Sequence, residues 1–96
     1  MDIPRKLKAG GHRLPVKRHD DNQNYQLGFY DPDLSHISLN DSERVMEDIQ
    51  AETFMHEIFE VICHIYNIDI PHEVLTLQSE VLFAIIRDNN LDFRKP

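Results

Sequence analysis

The sequence predicts an α+β fold in one domain: an N-terminal antiparallel sheet of three or four strands, then a long helix and a second helix. Turn residues divide region 1–40 into short alternating runs, which is typical of strands. Region 41–90 carries apolar residues at helical spacing, interrupted near Pro71. We expect 91–96 to be a loose tail. A chain of 96 residues fits a single domain, 1–96.

Four strands are predicted in the first forty residues. Ile3–Lys8 and Arg13–Arg18 are joined by a turn at Gly10-Gly11, whose glycines can adopt the positive φ of a tight hairpin. Tyr25–Tyr30 alternates and is rich in aromatics, which predicts a third strand. His36–Leu39 is a short fourth strand.

The two helices have start and stop residues of their own. Asn40, with Glu43 three residues later, is close to a capping box and predicts a long helix over Asp41–Tyr66. Asn67 interrupts the pattern. Pro71 suits the first turn of a second helix, which we expect to run over Pro71–Asp88 and to end at two asparagines.

Composition indicates a cytoplasmic protein without a membrane partner. The first segment lacks the apolar run of a secretory signal, and no stretch approaches the roughly 20 apolar residues of a membrane span. The single cysteine, Cys63, cannot form an internal disulfide, which fits a reducing compartment. In a helix interior it is expected to be a small buried group rather than a nucleophile.

Charge is divided unevenly along the chain. The first twenty residues hold six basic and two acidic residues (net +4), whereas the remainder holds four basic and fifteen acidic (net −11). Such a division can mark a nucleic-acid-binding arm. No aromatic residue interleaves the basic ones as a base-stacking platform requires, so we favour a basic hairpin that packs beside an acidic helical body.

The long helix has a polar row opposite its apolar face. His56, Glu60 and His64 recur every fourth residue and therefore point to one side. Zinc peptidases place two ligands at i and i+4 of a helix, with a glutamate general base after the first. Here His56 and Glu57 occupy the positions of the first ligand and the base, and Glu60 occupies that of the second ligand. The alternative is a solvated helix face that binds no metal.

The metal is not specified by this motif. Glu60 can bind zinc through oxygen. With a further carboxylate, the donor set would be one imidazole and two carboxylates. That set suits zinc, which we place first, and also manganese or iron(II).

The segment from Thr53 to Ile62 resembles the active helix of small proteins encoded by phages and mobile elements, which carry Thr-Leu-Leu-His-Glu-x-x-His-Ala-Ile there. The likeness continues in order at Lys6–His12, at Leu27-Gly28, and from Glu73-Val74 to the ending Ile86–Asn89. More distantly the arrangement is similar to the ImmA/IrrE-type metallopeptidases, which have a minimal zincin fold. One position departs from the pattern, because glutamate (Glu60) replaces the second histidine.

The resemblance implies His56, Glu60 and Glu73 around a metal, with Glu57 as general base. In the wider family the third ligand is a glutamate on the following helix, which is Glu73 here. His72 beside it is expected either to support a ligand or to have no role.

Two residues are alternates to this ligand set. His64 could pair with Glu60 but is too far along the helix to share an ion with His56. Glu80, on nearly the same helix face as Glu73, is a fallback third ligand, although we expect it to face solvent.

Three functions follow from these observations. The first is a phage-type metal-dependent peptidase that acts on a peptide or protein. The second is an inactive zincin-like module that binds a host or phage protein. The third is a nucleic-acid-binding module using the basic hairpin.

Overall fold

The fold is a four-stranded sheet followed by two helices, which confirms the predicted α+β class. The computed structural model describes residues 3–19, 27–33, 35–41 and 47–91. In chain order the elements are β1 (Lys6–Ala9), β2 (His12–His19), β3 (Gly28–Asp31), β4 (His36–Asn40), α1 (Glu47–Ile65) and α2 (His72–Asn89). Neither described helix is long and apolar enough to cross a membrane.

The sheet is mixed, where the sequence predicted antiparallel strands throughout. Its order is β1-β2-β4-β3. β1 and β2 form the predicted hairpin, and β3 and β4 also pair antiparallel, but β2 and β4 run parallel with Val16 opposite Ile37. β3 therefore lies at the edge of the sheet, and β4 returns to the place between β2 and β3. Strand patterns specify which residues are extended, but not which strands become neighbours.

The core lies between the sheet and α1. β4 is buried along its whole length. The β1–β2 turn lies close to the end of α1, and glycine at position 10 permits this approach, because a Cβ there would lie 2.9 Å from Ile65. Six buried residues form the central cluster: Leu14, Val16, Ile37, Leu39, Phe54 and Val61.

The start of α1 differs from the prediction. Asn40 is the last residue of β4 and is 1% exposed, and its N–H donates to the carbonyl of Leu27. It therefore belongs to the sheet and does not cap a helix, and Asp41 lies outside the helix as well. Residues 42–46, which include the second half of the expected capping box, lie outside the described residues.

The other helix boundaries agree with the sequence to within one or two residues. α1 ends at Ile65, where Asn67 adopts φ 54° and the N–H of Ile68 donates to the carbonyl of Cys63. Pro71 is the N-cap of α2, and Asn90 ends α2 in the left-handed conformation. Asparagine is one of the few residues other than glycine that adopts this conformation readily. The chain turns back in six residues, so that α2 packs on α1.

Candidate metal centre

Two of the predicted ligands lie one turn apart on α1. The Nε2 atom of His56 is 3.5 Å from Oε1 of Glu60, and their side chains are 19% and 35% exposed. This proximity follows from helix geometry alone, because residues four apart lie side by side. The i, i+4 spacing read from the sequence therefore does bring an imidazole and a carboxylate together.

A third donor comes from the first turn of α2. The Nδ1 atom of His72 is 3.7 Å from the same Oε1 of Glu60. The His56 and His72 rings are 5.1 Å apart between centroids and inclined at 67°. One donor atom from each of the three side chains lies within 4.8 Å of the others. Within the described ranges, this is the one group of three or more such residues that could hold a metal ion.

The two donor distances measured from Glu60 fit a small divalent ion. Ligands about 2.0–2.2 Å from a tetrahedral zinc lie roughly 3.4 Å from one another. The two distances from Oε1 of Glu60, 3.5 Å to His56 and 3.7 Å to His72, are within a few tenths of an ångström of this value. The His72 side chain is 73% exposed, so the group is open to solvent on that side.

Glu57 is buried beside the group. It is 6% exposed, and its carboxylate accepts a hydrogen bond from the backbone N–H of Tyr30 in β3. Burial, together with the nearby charge of Glu60, raises the pKa of Glu57 from 4.5 to about 7, although the Tyr30 hydrogen bond opposes the shift. A carboxyl group with this pKa can both accept and donate a proton near neutral pH.

The environment of His56 favours its neutral form. Burial lowers the pKa of His56 below its ordinary 6.5, and the positive charge that His72 can carry acts in the same direction. The carboxylates of Glu60 and Glu80 oppose this shift. An imidazole binds metal through a deprotonated nitrogen, so a lowered pKa keeps His56 ready to bind.

A cavity of about 430 Å³ adjoins the group, where the start of β3 meets the two helices. His56, Glu57 and His72 contribute to its wall. Its other lining residues come from all three elements: Leu27, Gly28, Glu52, Thr53, Thr76, Ser79 and Glu80. Glu60 lines a second cavity on its other side, of about 590 Å³. The candidate centre therefore borders two cavities, one on each side of Glu60.

The remaining predicted residues lie around the group but not in it. Glu73 is exposed and follows His72 on α2, and the three-residue group does not include it. Glu80 is exposed yet lines the cavity, where it is hydrogen-bonded to Glu52 and contributes to the raised pKa of Glu52, which is due first to burial. His64 is exposed and its ring lies 5.8 Å from that of Tyr30. Cys63 lines the second cavity.

His72 is the residue that sequence reasoning left without a defined role. The family resemblance assigned the third ligand to its neighbour Glu73. Residues adjacent on a helix point about 100° apart. Only the packing of α2 on α1 decides whether the side chain of His72 or that of Glu73 points toward Glu60. The sequence did offer one signal for His72 as a ligand, because it is a histidine at the predicted start of the helix that follows the motif.

Comparisons with known proteins add no relative to this picture. No protein-family model, no curated protein and no solved structure matches the chain.

Proposed function

We propose that this protein is a zincin-type metallopeptidase in which His56, Glu60 and His72 hold one divalent ion. Zinc is the metal that we expect. The observation that carries the proposal is the convergence of two imidazole nitrogens on one carboxylate oxygen of Glu60. The buried carboxyl group of Glu57 directly follows His56 in the sequence and lines the same cavity as His56 and His72.

The donor set supports zinc. Two imidazoles and one carboxylate are a common set of protein ligands in catalytic zinc sites, which keep a fourth position open. Imidazole nitrogen also suits zinc better than it suits magnesium or calcium. The proteins that this chain resembles reach the same set with a second histidine on the first helix and a glutamate on the next. In this chain Glu60 and His72 supply the same two donor types with the positions exchanged.

The chain's own residues suffice for the proton transfers of peptide hydrolysis. A divalent ion in such a site polarises a carbonyl oxygen and lowers the pKa of water. Glu57, with a pKa of about 7, accepts the proton of the attacking water and returns it to the departing amine. The hydrogen bond from the Tyr30 N–H holds the Glu57 carboxylate against β3, so that its orientation is fixed before substrate arrives.

Peptide cleavage by zinc-loaded protein tests the proposal. The protein is incubated with a mixture of unstructured peptides, and products are identified by mass spectrometry. We expect defined cleavages that chelator abolishes. Glu57→Gln should bind zinc as the wild type does and lose cleavage by at least a hundredfold, because it removes only the general base. Glu73→Gln is the matched control and should retain both properties.

Two results would contradict the peptidase proposal. Cleavage that persists in Glu57→Gln would point to a contaminating protease or another base. Stoichiometric zinc without cleavage of any peptide would leave a metal-bound module that acts by binding a partner protein.

A further inference from the structure

The sheet has an inner face, which packs against α1, and an outer face on the opposite side. The inner face carries the buried core residues Leu14, Val16, Ile37 and Leu39. Side chains alternate along each strand, and residues that pair across neighbouring strands lie on the same side of the sheet. The residues between the core positions therefore lie on the outer face. They include four cations on β1 and β2 and one aromatic residue on β3: Lys6, Lys8, Arg13, Lys17 and Phe29.

The four cations of the outer face lie close together and are all exposed. Lys8 pairs with Arg13 directly across the two strands, and Lys6 lies two residues from Lys8. Lys17 follows Arg13 by four residues on β2, so the group extends over about 13 Å along the strands. Within the described part of the chain, none of the four forms an ion pair with a carboxylate. Since like charges on neighbouring strands repel one another, an anion bound between them stabilises the group.

The strand order brings an aromatic ring onto the same face. Phe29 pairs with Ser38 of β4, and Ser38 pairs with Lys17 of β2, so the three residues lie in one row across the sheet. Two strand spacings, about 10 Å, separate Lys17 from Phe29. The Phe29 ring lies between two imidazoles, with its centroid 6.5 Å from that of His19 and 5.8 Å from that of His36. The basic residues and the aromatic residues are separate in the sequence, and only the order β2-β4-β3 places them on one surface.

We propose that the outer face binds single-stranded nucleic acid, with phosphates along the cations of β1 and β2 and a base stacked at Phe29. Proteins that bind single strands combine a positively charged track for the backbone with aromatic side chains for the bases. Duplex DNA keeps its bases stacked inside the helix and would contact the cations alone. An acidic peptide has carboxylates for the cations but no base for the ring.

The distribution of charge directs a polyanion to this face. The chain has a formal net charge of −7, although its first twenty residues hold six basic and two acidic residues. Among the described strand residues of the outer face, Asp31 is the one acid, and its side chain accepts a hydrogen bond from the N–H of Asp33. A polyanion is therefore attracted by the outer face and repelled by the rest of the molecule. The candidate metal centre lies on the helices, on the other side of the sheet, so this binding does not depend on it.

Fluorescence anisotropy with a labelled oligo(dT) of roughly 20 nucleotides tests the binding. At about 50 mM salt we expect a Kd of about 1–100 µM, which is typical of binding without sequence preference. Each phosphate contact on a single strand contributes roughly 0.7 to the slope of log Kd against log salt, so four cations predict a slope of about 3. Lys8→Gln and Lys17→Gln should each weaken binding at least about threefold and lower that slope by about 0.7.

Arg18→Gln is the matched control for these variants. Arg18 is exposed and adjacent to Lys17, but it pairs with Leu39 and therefore belongs to the inner side of the sheet. It should bind the oligonucleotide about as tightly as wild type, with an unchanged salt slope. Equal losses in Arg18→Gln and Lys17→Gln would overturn the outer face as the binding surface. An absence of binding at about 100 µM protein and 50 mM salt would overturn it as well.

The stacked base is tested with the probe and with the ring. An abasic oligonucleotide of the same length should bind wild type at least about fivefold more weakly than oligo(dT), because stacking of a base on an aromatic side chain is lost. Phe29→Leu should weaken binding of oligo(dT) by a similar factor, whereas Phe29→Tyr, which keeps the ring, should not. Circular dichroism checks that both variants fold. An abasic strand or a duplex bound as tightly as oligo(dT), or displacement of oligo(dT) by an equal charge of polyglutamate, would overturn the assignment to single-stranded nucleic acid.

Discussion

His72 and Glu60 lie on different helices, yet the Nδ1 of His72 is 3.7 Å from Oε1 of Glu60. The contact joins the first turn of α2 to the C-terminal third of α1. It turns a local pair, His56 and Glu60, into a group of three donors. The site thus depends on how the two helices pack as well as on the motif itself.

Replacing Glu57 should flatten the pH dependence of stability in metal-free protein. The fold raises the pKa of Glu57 from 4.5 to about 7, so it favours the protonated form. The contribution of Glu57 to the free energy of unfolding is fully present below pH 4.5 and is lost as the pH rises through about 7. The loss is on the order of 3 kcal/mol in the free energy of unfolding.

Urea unfolding at pH 5 and pH 8 with chelator present measures this effect. Wild type should lose stability between the two values, and Glu57→Gln, which cannot ionise, should lose much less. Glu73→Gln removes an exposed carboxylate from the same region and should behave as wild type. Parallel pH profiles for wild type and Glu57→Gln would show that Glu57 ionises freely in the fold.

Gly28→Ala should destabilise the fold where β3 passes under α1. A Cβ at Gly28 would lie 2.8 Å from Cγ2 of Thr53 and 2.9 Å from the backbone oxygen of Ser38. The backbone oxygen cannot move without disturbing the β3–β4 pairing. We expect a cost of about 1–3 kcal/mol, as for other overpacked sites.

Thermal and urea unfolding of Gly28→Ala test this prediction, with the double variant Gly28→Ala/Thr53→Ala for comparison. Removing the Thr53 methyl group should recover part of the loss but not all of it, because the Ser38 contact remains. A single variant as stable as wild type would mean that α1 sits farther from β3 than described.

A residue that tolerates the left-handed conformation should be favoured at position 67, where the chain leaves α1. Asn67 adopts φ 54° directly after α1, and the next N–H bonds back to Cys63. Asn67→Ala should cost about 1 kcal/mol, because a Cβ without a local hydrogen bond disfavours this conformation. Asn67→Gly should be neutral or stabilising by a few tenths of a kcal/mol. The two variants are compared by urea unfolding, and equal stabilities would show that the left-handed turn is not under strain.

Features that depend on interactions within a few residues could be predicted from the sequence. The apolar spacing of α1, the asparagines at 67 and 90, and the glycine turn at 10–11 each act within a few residues, and the structure has them where they were predicted. The same holds for His56 and Glu60, because one helical turn brings them together.

The features of the fold and the site that could not be predicted depend on contacts between segments that are distant in the sequence. Whether Asn40 starts a helix or ends a strand is decided by its pairing in the sheet, which buries it. The parallel pairing of β2 with β4 has no signature in either strand. The burial of Glu57 follows from the position of β3 over α1, and the choice between His72 and Glu73 follows from the rotation of α2. None of these contacts is encoded by spacing along one element.

Zinc content of three proteins tests the central claim most directly. Wild type, His72→Ala and Glu73→Ala, purified without a histidine tag, are loaded with zinc, desalted and measured by elemental mass spectrometry, with thermal melts before and after chelator. We predict one zinc per chain in wild type and Glu73→Ala, with a melting temperature that chelator lowers, and loss of both properties in His72→Ala. Zinc retained by His72→Ala but lost by Glu73→Ala would contradict the assigned donor group. No zinc in any of the three would contradict the metal centre itself.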